Sequence, residues 1–290
     1  MPPGACDCHV HVFGPPERYP LTHDRIYMPG LATVADLLAM HRALGIDRAV
    51  VVQASPQGTD NGCLLDALEA IGMAGREVRG VAVVGEDVSR AELEALRSGG
   101  VRGLRVNLES HGHSNAVEAR RKLLVQARLA ADLGLHLQMY TNLGMVKAVA
   151  PTLKELPVPV VIDHFALASP RLGQDQDGLR QLSQLLESGR VYLKVSAPYR
   201  ILERFDAEEG RWLVRMLVDA NPERLLWGTD WPHTGPWPGK ARLRDRPEPF
   251  HPIDNGEQLN LLGRWTSEQE RLQILVRNPA RLFGFLEALE

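Results

Sequence analysis

Residues 35–53 read ADLLAMHRALGIDRAVVVQ and contain two kinds of element in succession. The part from Ala35 to Gly45 has apolar residues at helical spacing and closes on a glycine, which is typical of the C-terminus of a helix. The part from Arg48 to Gln53 is a continuous apolar, β-branched run, which indicates a strand buried on both faces. The stretch therefore predicts an amphipathic helix followed by a strand of a parallel sheet.

Strands of this kind recur through the whole sequence and alternate with amphipathic segments, such as those from Ala91 to Gly100 and from Glu118 to Gly134. Eight apolar runs predict strands: Ala5–His11, Arg48–Gln53, Val78–Val84, Val101–Asn107, Leu135–Tyr140, Val158–Asp163, Val191–Val195 and Leu225–Gly228. Strands that alternate with helices pair in parallel, and eight of them favour a closed barrel because closure removes both exposed edges. The predicted fold class is α/β, a (β/α)8 TIM barrel.

The chain is predicted to form one domain over residues 1–290, because no Gly- or Ser-rich linker divides it. Residues 234–255 follow the eighth predicted strand and are rich in proline and charged residues. We interpret them as a long loop over the mouth of the barrel.

The composition is that of a globular protein and excludes several classes of function. Hydrophobic residues make up 44% and charged residues 24% of the chain. The 33 basic and 36 acidic side chains give a net charge of -3, without a basic run that could follow a phosphate backbone, so nucleic acid is not an expected partner. The sequence shows neither a signal peptide nor a long apolar run, and 3 cysteines are too few for a disulfide framework. We therefore expect a cytoplasmic protein that does not enter a membrane.

Two histidines mark the end of the first predicted strand, which reads Asp7-Cys8-His9-Val10-His11. In a barrel of this kind, functional side chains lie at the carboxyl ends of the strands. The period of two points His9 and His11 to the same side, into the mouth, and points Cys8 away from them. This spacing suits a shared metal or substrate, and the alternative is a pair of hydrogen-bonded core histidines.

Carboxylates and further polar groups end other strands: the sixth ends at Asp163-His164, the eighth continues into Asp230, and the fifth ends at Tyr140. A carboxylate at Asp230 among several imidazoles can act as general base toward water while the imidazoles polarise a carbonyl, which is the chemistry of ester or amide hydrolysis. The alternative for Asp230 is a turn or helix-cap carboxylate. We interpret Asp163 as a buried partner that orients the neighbouring imidazole.

Cations also occur near strand ends, with Arg105 in the fourth strand and Arg200 just after the seventh. Guanidinium groups suit bidentate capture of a carboxylate, so the substrate is expected to carry at least one. Each arginine taken singly is more often a solvated or salt-bridged surface group. Lys194, on the seventh strand, either faces the mouth or is the structural partner of an acid. His41, on the first helix, is interpreted as a surface residue, and no spacing links His23, His111, His113 and His251.

Three motifs together resemble the amidohydrolase superfamily: HVH at 9–11, VIDH at 161–164 and WGTDWPH at 227–233. Within that superfamily, the chain resembles the branch of metal-independent lactonases typified by 2-pyrone-4,6-dicarboxylate lactonase. The motifs that carry this resemblance are DCHVHVFGP, YMPG, VVQASPQGTDN, GVRGLRVN and RNPARLFG. The match spans nearly the whole chain. It implies a distorted, amidohydrolase-like barrel that opens a carboxylated lactone.

The resemblance also implies a role for individual residues. Asp230 would be the base that activates water, and the histidines that surround and polarise the lactone carbonyl would be His9, His11 and His164. The groups that would bind the substrate carboxylate or the opening ring are Arg105, Arg200, Tyr140, Tyr27 and Ser55.

The sequence departs from the family after the fourth strand, where that lactonase has a basic pair and this chain has Asn107-Leu-Glu109-Ser-His111-Gly. One carboxylate clamp is therefore missing, which favours a muconolactone-like or sugar-acid lactone over a dicarboxylate.

Binuclear members of the superfamily resemble each other in a bridging Lys or Glu on strand four and a His on strand five, whereas these strand ends offer Arg105 or Asn107, and Tyr140. No cofactor is expected. The alternative is one divalent metal such as zinc, bound by His9, His11 and Asp230.

The leading hypothesis is thus hydrolysis of a small carboxylated lactone by water that Asp230 activates. The alternatives are a sugar-acid lactonase, a metal-dependent decarboxylase and a non-catalytic protein that binds an acid through Arg105 and Arg200. The sequence does not specify the oligomeric state.

Overall fold

Eight strands form one parallel sheet and follow one another around it in chain order. The computed structural model describes residues 1–109, 115–203 and 207–286. The strands are β1 Cys6–Val10, β2 Arg48–Val52, β3 Glu77–Ala82, β4 Val101–Asn107, β5 His136–Tyr140, β6 Val160–Ile162, β7 Val191–Ser196 and β8 Leu225–Gly228. These bounds lie close to the predicted ones, because uninterrupted apolar runs leave little choice of where a doubly buried strand begins and ends. The predicted (β/α)8 barrel is confirmed.

Each strand is followed by a helix that covers the outside of the barrel. The helices are α1 Val34–Leu44, α2 Gly62–Met73, α3 Arg90–Ser98, α4 Ala116–Ala131, α5 Leu143–Glu155, α6 Leu179–Glu187, α7 Ala207–Ala220, α8 Asn255–Trp265, α9 Glu268–Leu272 and α10 Asn278–Phe283. Helix α1 begins with a capping box between Thr33 and Asp36 and ends at Gly45, whose φ of 68° is the left-handed conformation that favours glycine. Among the described residues, no helix is both long and apolar enough to cross a bilayer.

The barrel closes where β1 meets β8. The His9 carbonyl accepts a hydrogen bond from the Asp230 amide at 2.9 Å, and the His11 amide donates to the Trp231 carbonyl at 2.8 Å. Gly228 allows this approach, since a Cβ there would lie 2.7 Å from the His9 nitrogen. Closure therefore brings the end of β8 directly against the end of β1.

Strand β1 is irregular, and the prediction that Cys8 points away from His9 and His11 was wrong. The pairing of β1 with β2 changes register between Asp7 and Val10. Cys8 consequently packs inside the barrel with Val50 and Leu226, whereas Val10 belongs to the apolar layer between barrel and helices. The irregularity breaks the strict alternation of faces, so that both Cys8 and His9 point inward.

The C-terminal segment covers the end of the barrel opposite the mouth. Phe283 and Phe285 belong to the same apolar cluster as the inward-facing residues of the strands. The ring of His136, at the start of β5, meets Phe283 edge-on with centroids 5.2 Å apart. The inside of the barrel is therefore apolar at this end, and polar side chains occupy the layers nearer the mouth.

Two further predictions concern histidines: one was wrong, and the other falls on residues that the structure does not describe. His41 is buried, not at the surface, and its Nε2 lies 3.2 Å from the Asp7 carboxylate, which also accepts a hydrogen bond from the Thr229 hydroxyl at 2.6 Å. A polar residue on an amphipathic helix can thus face inward when a buried acid pairs with it. His111 and His113 lie outside the described residues.

Candidate active site

A cavity of about 1230 Å³ opens at the carboxyl ends of the strands. The predicted site residues that line it are His11, Tyr27, Ser55, Arg105, Tyr140, His164 and Arg200. The other two, His9 and Asp230, are fully buried next to it. The nine residues come from seven of the eight strands or from the loops that follow them, and the barrel brings them to one mouth.

The two oxygens of the Asp230 carboxylate have different surroundings. Oδ2 accepts hydrogen bonds from the Tyr199 hydroxyl at 2.6 Å and from the Arg200 Nη2 and Nε at 2.6 and 2.9 Å. Burial opposes ionisation, but the Arg200 guanidinium, with the neighbouring imidazoles, holds the Asp230 pKa well below its usual range. Asp230 is therefore a carboxylate at neutral pH.

The second oxygen, Asp230 Oδ1, faces three imidazoles. It lies 3.5 Å from the Nε2 of His164 and 3.7 Å from the Nε2 of both His9 and His11. These distances are too long for hydrogen bonds, and Oδ1 has no hydrogen-bond partner among the described residues. A buried acceptor without a partner is costly, so this is a position for an atom of a ligand.

The Nδ1 atoms of the three histidines have different partners. His11 Nδ1 lies 2.7 Å from the Val52 carbonyl, and because a carbonyl can only accept, His11 carries its proton on Nδ1. His164 Nδ1 lies 2.8 Å from the Ser196 hydroxyl. Burial lowers the pKa of His11 to about 4 and that of His164 to about 3. Both rings are therefore neutral at neutral pH, and His11 Nε2 presents a lone pair to the site.

A fully buried polar layer lies beneath these rings. Lys194 Nζ donates to the Gln138 Oε1 at 2.8 Å and lies 3.2 Å from both His9 Nδ1 and Asp163 Oδ1. Asp163 Oδ2 accepts from the Gln138 Nε2 at 3.0 Å and lies 3.6 Å from Arg105 Nη2. The sequence did not decide whether Lys194 faces the mouth or is the structural partner of an acid. The structure places it inside the barrel, paired with an acid and touching a predicted site residue.

The predicted substrate-binding groups surround Tyr140. The guanidinium carbons of Arg105 and Arg200 lie 5.8 and 5.7 Å from its ring centroid. Arg200 Nη1 lies 3.4 Å from its hydroxyl. Arg105 Nη1 donates to the Gln53 carbonyl at 3.1 Å, and its Nε has no partner among the described residues. Two guanidinium groups and a phenol thus converge on one side of the cavity.

Sequence reasoning missed several residues of the site. Tyr199 directly precedes Arg200 and could have been found from that position alone. Trp237, Arg242 and His251 line the cavity from within residues 234–255, and the Trp237 and His251 rings stack with centroids 4.0 Å apart. No spacing predicted that His251 belongs to the mouth, because its place depends on how this loop returns to the barrel.

Site residues at two of the strand ends have left-handed backbones. His164 has a φ of 49° and Asp230 a φ of 61°, conformations that cost free energy for residues with a Cβ. In this conformation the Asp230 amide donates to the His9 carbonyl of β1. Such local cost is common where a side chain must be aimed at a site.

The family described as amidohydrolase matches residues 6–285, nearly the whole length of the sequence. The chain belongs to the amidohydrolase family. The predicted superfamily is thereby confirmed.

Similar amidohydrolases include named enzymes and a solved structure. A 4-sulfomuconolactone hydrolase from Hydrogenophaga intermedia is 34% identical over 289 residues, which cover 98% of this chain and 90% of the relative. A 2-pyrone-4,6-dicarboxylate hydrolase from Comamonas testosteroni is 33% identical over 294 residues, with coverage of 98% and 91%. A structure from Pseudomonas putida, described as a candidate 2-pyrone-4,6-dicarboxylic acid hydrolase, is 29% identical with a TM-score of 0.81 and covers 100% of both chains. These relatives support an enzyme that acts on cyclic esters.

Whether this amidohydrolase site suits a metal can be judged from its spacing and its charge. His9, His11 and Asp230 are grouped closely enough to hold one ion, since tetrahedral zinc needs ligand atoms about 3.4 Å apart. The charge is unfavourable, because Arg200 already neutralises Asp230 and a further cation, Lys194, touches His9. The positions of these residues therefore suit a metal ion, but the positive charges around them do not.

Proposed function

We propose that this amidohydrolase opens a carboxylated lactone by hydrolysis, with a water molecule that Asp230 activates. The observation that carries the proposal is the arrangement at Asp230 Oδ1, a buried carboxylate oxygen that lacks a partner among the described residues and faces three imidazoles. This oxygen can accept a proton from water. The imidazoles beside it are placed to contact the carbonyl that the water attacks.

In the proposed reaction, Asp230 Oδ1 removes a proton from water as the water oxygen forms a bond to the lactone carbonyl carbon. The carbonyl oxygen becomes negatively charged and is stabilised by an imidazole N–H and by the nearby cations. The tetrahedral intermediate then collapses, and the bond between the carbonyl carbon and the ring oxygen breaks. The proton held by Asp230 passes to the departing ring oxygen, which leaves an open-chain hydroxy acid and regenerates the carboxylate.

The substrate carboxylate is proposed to bind at Arg105, Arg200 and Tyr140, where two guanidinium groups converge. Arg200 is shared, because in the unliganded site it pairs with Asp230 and depresses the basicity of that carboxylate. A substrate carboxylate competes for the same guanidinium and so weakens its hold on Asp230. Binding of an anionic lactone thereby makes Asp230 a stronger base, which gives a physical reason for a carboxylated substrate.

The second substituent of the lactone is expected to differ from a carboxylate. Asn107 and Glu109 line the cavity, and the Glu109 carboxylate accepts a hydrogen bond from the Asn142 side chain at 2.8 Å. A second carboxylate close to Glu109 would be repelled, whereas a hydroxyl could donate to it. We therefore propose that monocarboxylated, muconolactone-like or sugar-acid lactones are better substrates than dicarboxylated ones.

The comparisons support hydrolysis of a lactone through the printed names of the relatives, which are hydrolases of 4-sulfomuconolactone and of 2-pyrone-4,6-dicarboxylate. The charge of the site supports a mechanism without a metal. The three cysteines are buried free thiols, in keeping with a cytoplasmic location.

The test is a hydrolysis screen of carboxylated five- and six-membered lactones, with and without a chelator, on wild type and Asp230→Asn. We expect turnover that the chelator leaves unchanged and that Asp230→Asn abolishes without loss of the fold, as monitored by circular dichroism. A near-normal rate for Asp230→Asn would rule out the assigned base. Loss of turnover in chelator, with stoichiometric metal in elemental analysis, would instead favour a metal-dependent hydrolase or decarboxylase.

A further inference from the structure

Lys194 is a fully buried cation directly beneath the candidate site. It contacts three side chains: Gln138, Asp163 and His9. We propose that Lys194 keeps this site free of divalent metal, by holding the His9 proton on Nε2 and by placing a positive charge beside the candidate ligands. Lys194 is thus a positioning residue, and the inference does not depend on which lactone the enzyme opens.

Two hydrogen bonds and one ion pair surround the Lys194 ammonium. Gln138 Oε1 accepts at 2.8 Å, and His9 Nδ1 and Asp163 Oδ1 each lie at 3.2 Å. The orientation of the Gln138 amide follows from its other end, where Nε2 donates to Asp163 Oδ2 at 3.0 Å. Every neighbour of the ammonium therefore presents an acceptor to it.

This arrangement selects one tautomer of His9. A neutral imidazole carries a single proton, so a ring that accepts at Nδ1 must carry it on Nε2. His9 Nε2 then points an N–H toward the region of Asp230 Oδ1, 3.7 Å away. It has no lone pair with which to bind a metal, and it is instead a hydrogen-bond donor for a carbonyl oxygen.

The other tautomer becomes available when Lys194 is removed. His9 Nδ1 lies 3.3 Å from Asp163 Oδ1, which has no aligned hydrogen bond among the described residues. With its proton on Nδ1, His9 could donate to Asp163 and turn a lone pair at Nε2 toward Asp230. A carboxylate behind a histidine is the usual support of a metal-binding imidazole.

The charges around the site also disfavour a divalent metal. Lys194 and Arg105 lie beside Asp163, and Arg200 pairs with Asp230. These three cations face two carboxylates, so a dication would add to an environment that is already positive. Removal of Lys194 balances the remaining charges at zero, and this change favours an ion.

The test is zinc binding to Lys194→Met in the full chain, measured by equilibrium dialysis and elemental analysis. We expect about one zinc ion per chain, bound at least about 10-fold more tightly than by wild type, in line with the effects of groups behind metal ligands. Cobalt is expected to give the visible absorption of a tetrahedral site in the variant only. Adding His9→Ala to Lys194→Met should abolish the gain, and Lys147→Met, which removes an exposed lysine, should bind like wild type.

Lys194→Met leaves Asp163 buried without its main countercharge, which is destabilising. The double variant Lys194→Met, Asp163→Asn removes both charges and keeps an oxygen that can accept from His9 Nδ1. It is expected to fold, and because the net charge of the site then equals that of wild type, any gain in zinc affinity is expected from the His9 tautomer alone and should be smaller than in Lys194→Met. Stoichiometric zinc in wild type, or folded variants without any gain in zinc affinity, would overturn the proposal.

The tautomer can be measured in wild type without any change at Lys194. In ¹⁵N spectra of histidine-labelled protein, with His9 assigned through His9→Ala, the proton is expected on Nε2. A proton on His9 Nδ1 would refute the proposed role of Lys194.

Discussion

At the scale of single residues, the central feature is that the two oxygens of Asp230 have different roles. Oδ2 is occupied by Tyr199 and Arg200, which fix the plane of the carboxylate. Oδ1 is left directed at the imidazoles. A carboxylate held in this way loses little conformational freedom when it meets a water molecule, which is the advantage of a preorganised base.

Tyr199→Phe tests this division, because it removes the 2.6 Å hydrogen bond to Oδ2 and keeps the ring. We expect kcat/KM to fall by about 10- to 100-fold, since a hydrogen bond to a charged group contributes about 1.5–3 kcal/mol. The acid limb of the pH–rate profile should move to higher pH, because the bond stabilises the ionised form of Asp230 and its loss raises the Asp230 pKa. Tyr192→Phe, in the apolar interior of the barrel, is the control. An unmoved acid limb in Tyr199→Phe would contradict the assignment.

At the scale of elements, residues 234–255 form one side of the mouth and contact the body of the protein through a short strand pairing and through side chains. Pro247–Glu248 pairs in parallel with Met28–Pro29. Within the loop, Arg242 pairs with the buried Glu248 at 2.8 Å and lies over the Tyr27 ring, with its guanidinium carbon 4.1 Å from the ring centroid. Arg242 thus connects the loop to a predicted substrate-binding residue.

Arg242→Met should therefore weaken substrate binding more than it slows the chemical step. We expect KM to rise by about 5- to 10-fold, equivalent to about 1–1.4 kcal/mol, with kcat changed by less than about 2-fold. Arg244→Met, in the same loop but exposed, is the matched control. Steady-state kinetics on a lactone found in the screen measures both constants. A large fall in kcat with unchanged KM would place Arg242 in the chemistry instead.

At the scale of the whole molecule, the barrel buries several histidines as neutral rings. Burial lowers the pKa of His11 and His233 to about 4 and that of His136 and His164 to about 3. In the unfolded chain these groups take up protons below about pH 6.5. Because the unfolded state binds more protons in this window, the free energy of unfolding falls as the pH drops from about 6.5 toward 4. The depressed pKa values of Asp163 and Asp230 act with the same sign at lower pH.

We expect Tm to fall by more than about 5 °C between about pH 7 and pH 4.5 at constant ionic strength, as measured by calorimetry. His136→Met should reduce this fall, because His136 is buried against Phe283 and burial lowers its pKa to about 3. His23→Gln, at an exposed position, should leave it unchanged. A Tm that is constant across this range would show that the rings are not held neutral.

Much of the fold and of the mouth could be predicted because both follow from local patterns. The apolar run at Arg48–Val52 marks a buried strand wherever it lies in a barrel. Strand ends meet at one mouth whatever the details of the helices, so Arg105 and Asp230 could be grouped before any contact was known. The roles of these residues remain predictions that the kinetic experiments test.

By itself, the sequence determined the order of strands and helices and the set of polar groups at the mouth, because burial repeats locally along the chain. Only the tertiary structure decided that Cys8 turns inward and that Lys194 reaches His9. These contacts depend on one change of register in β1 and on its closure against β8, where hydrogen bonds join residues 222 positions apart. Periodicity describes which face of an element is buried, but it carries no information about which distant side chain lies against that face.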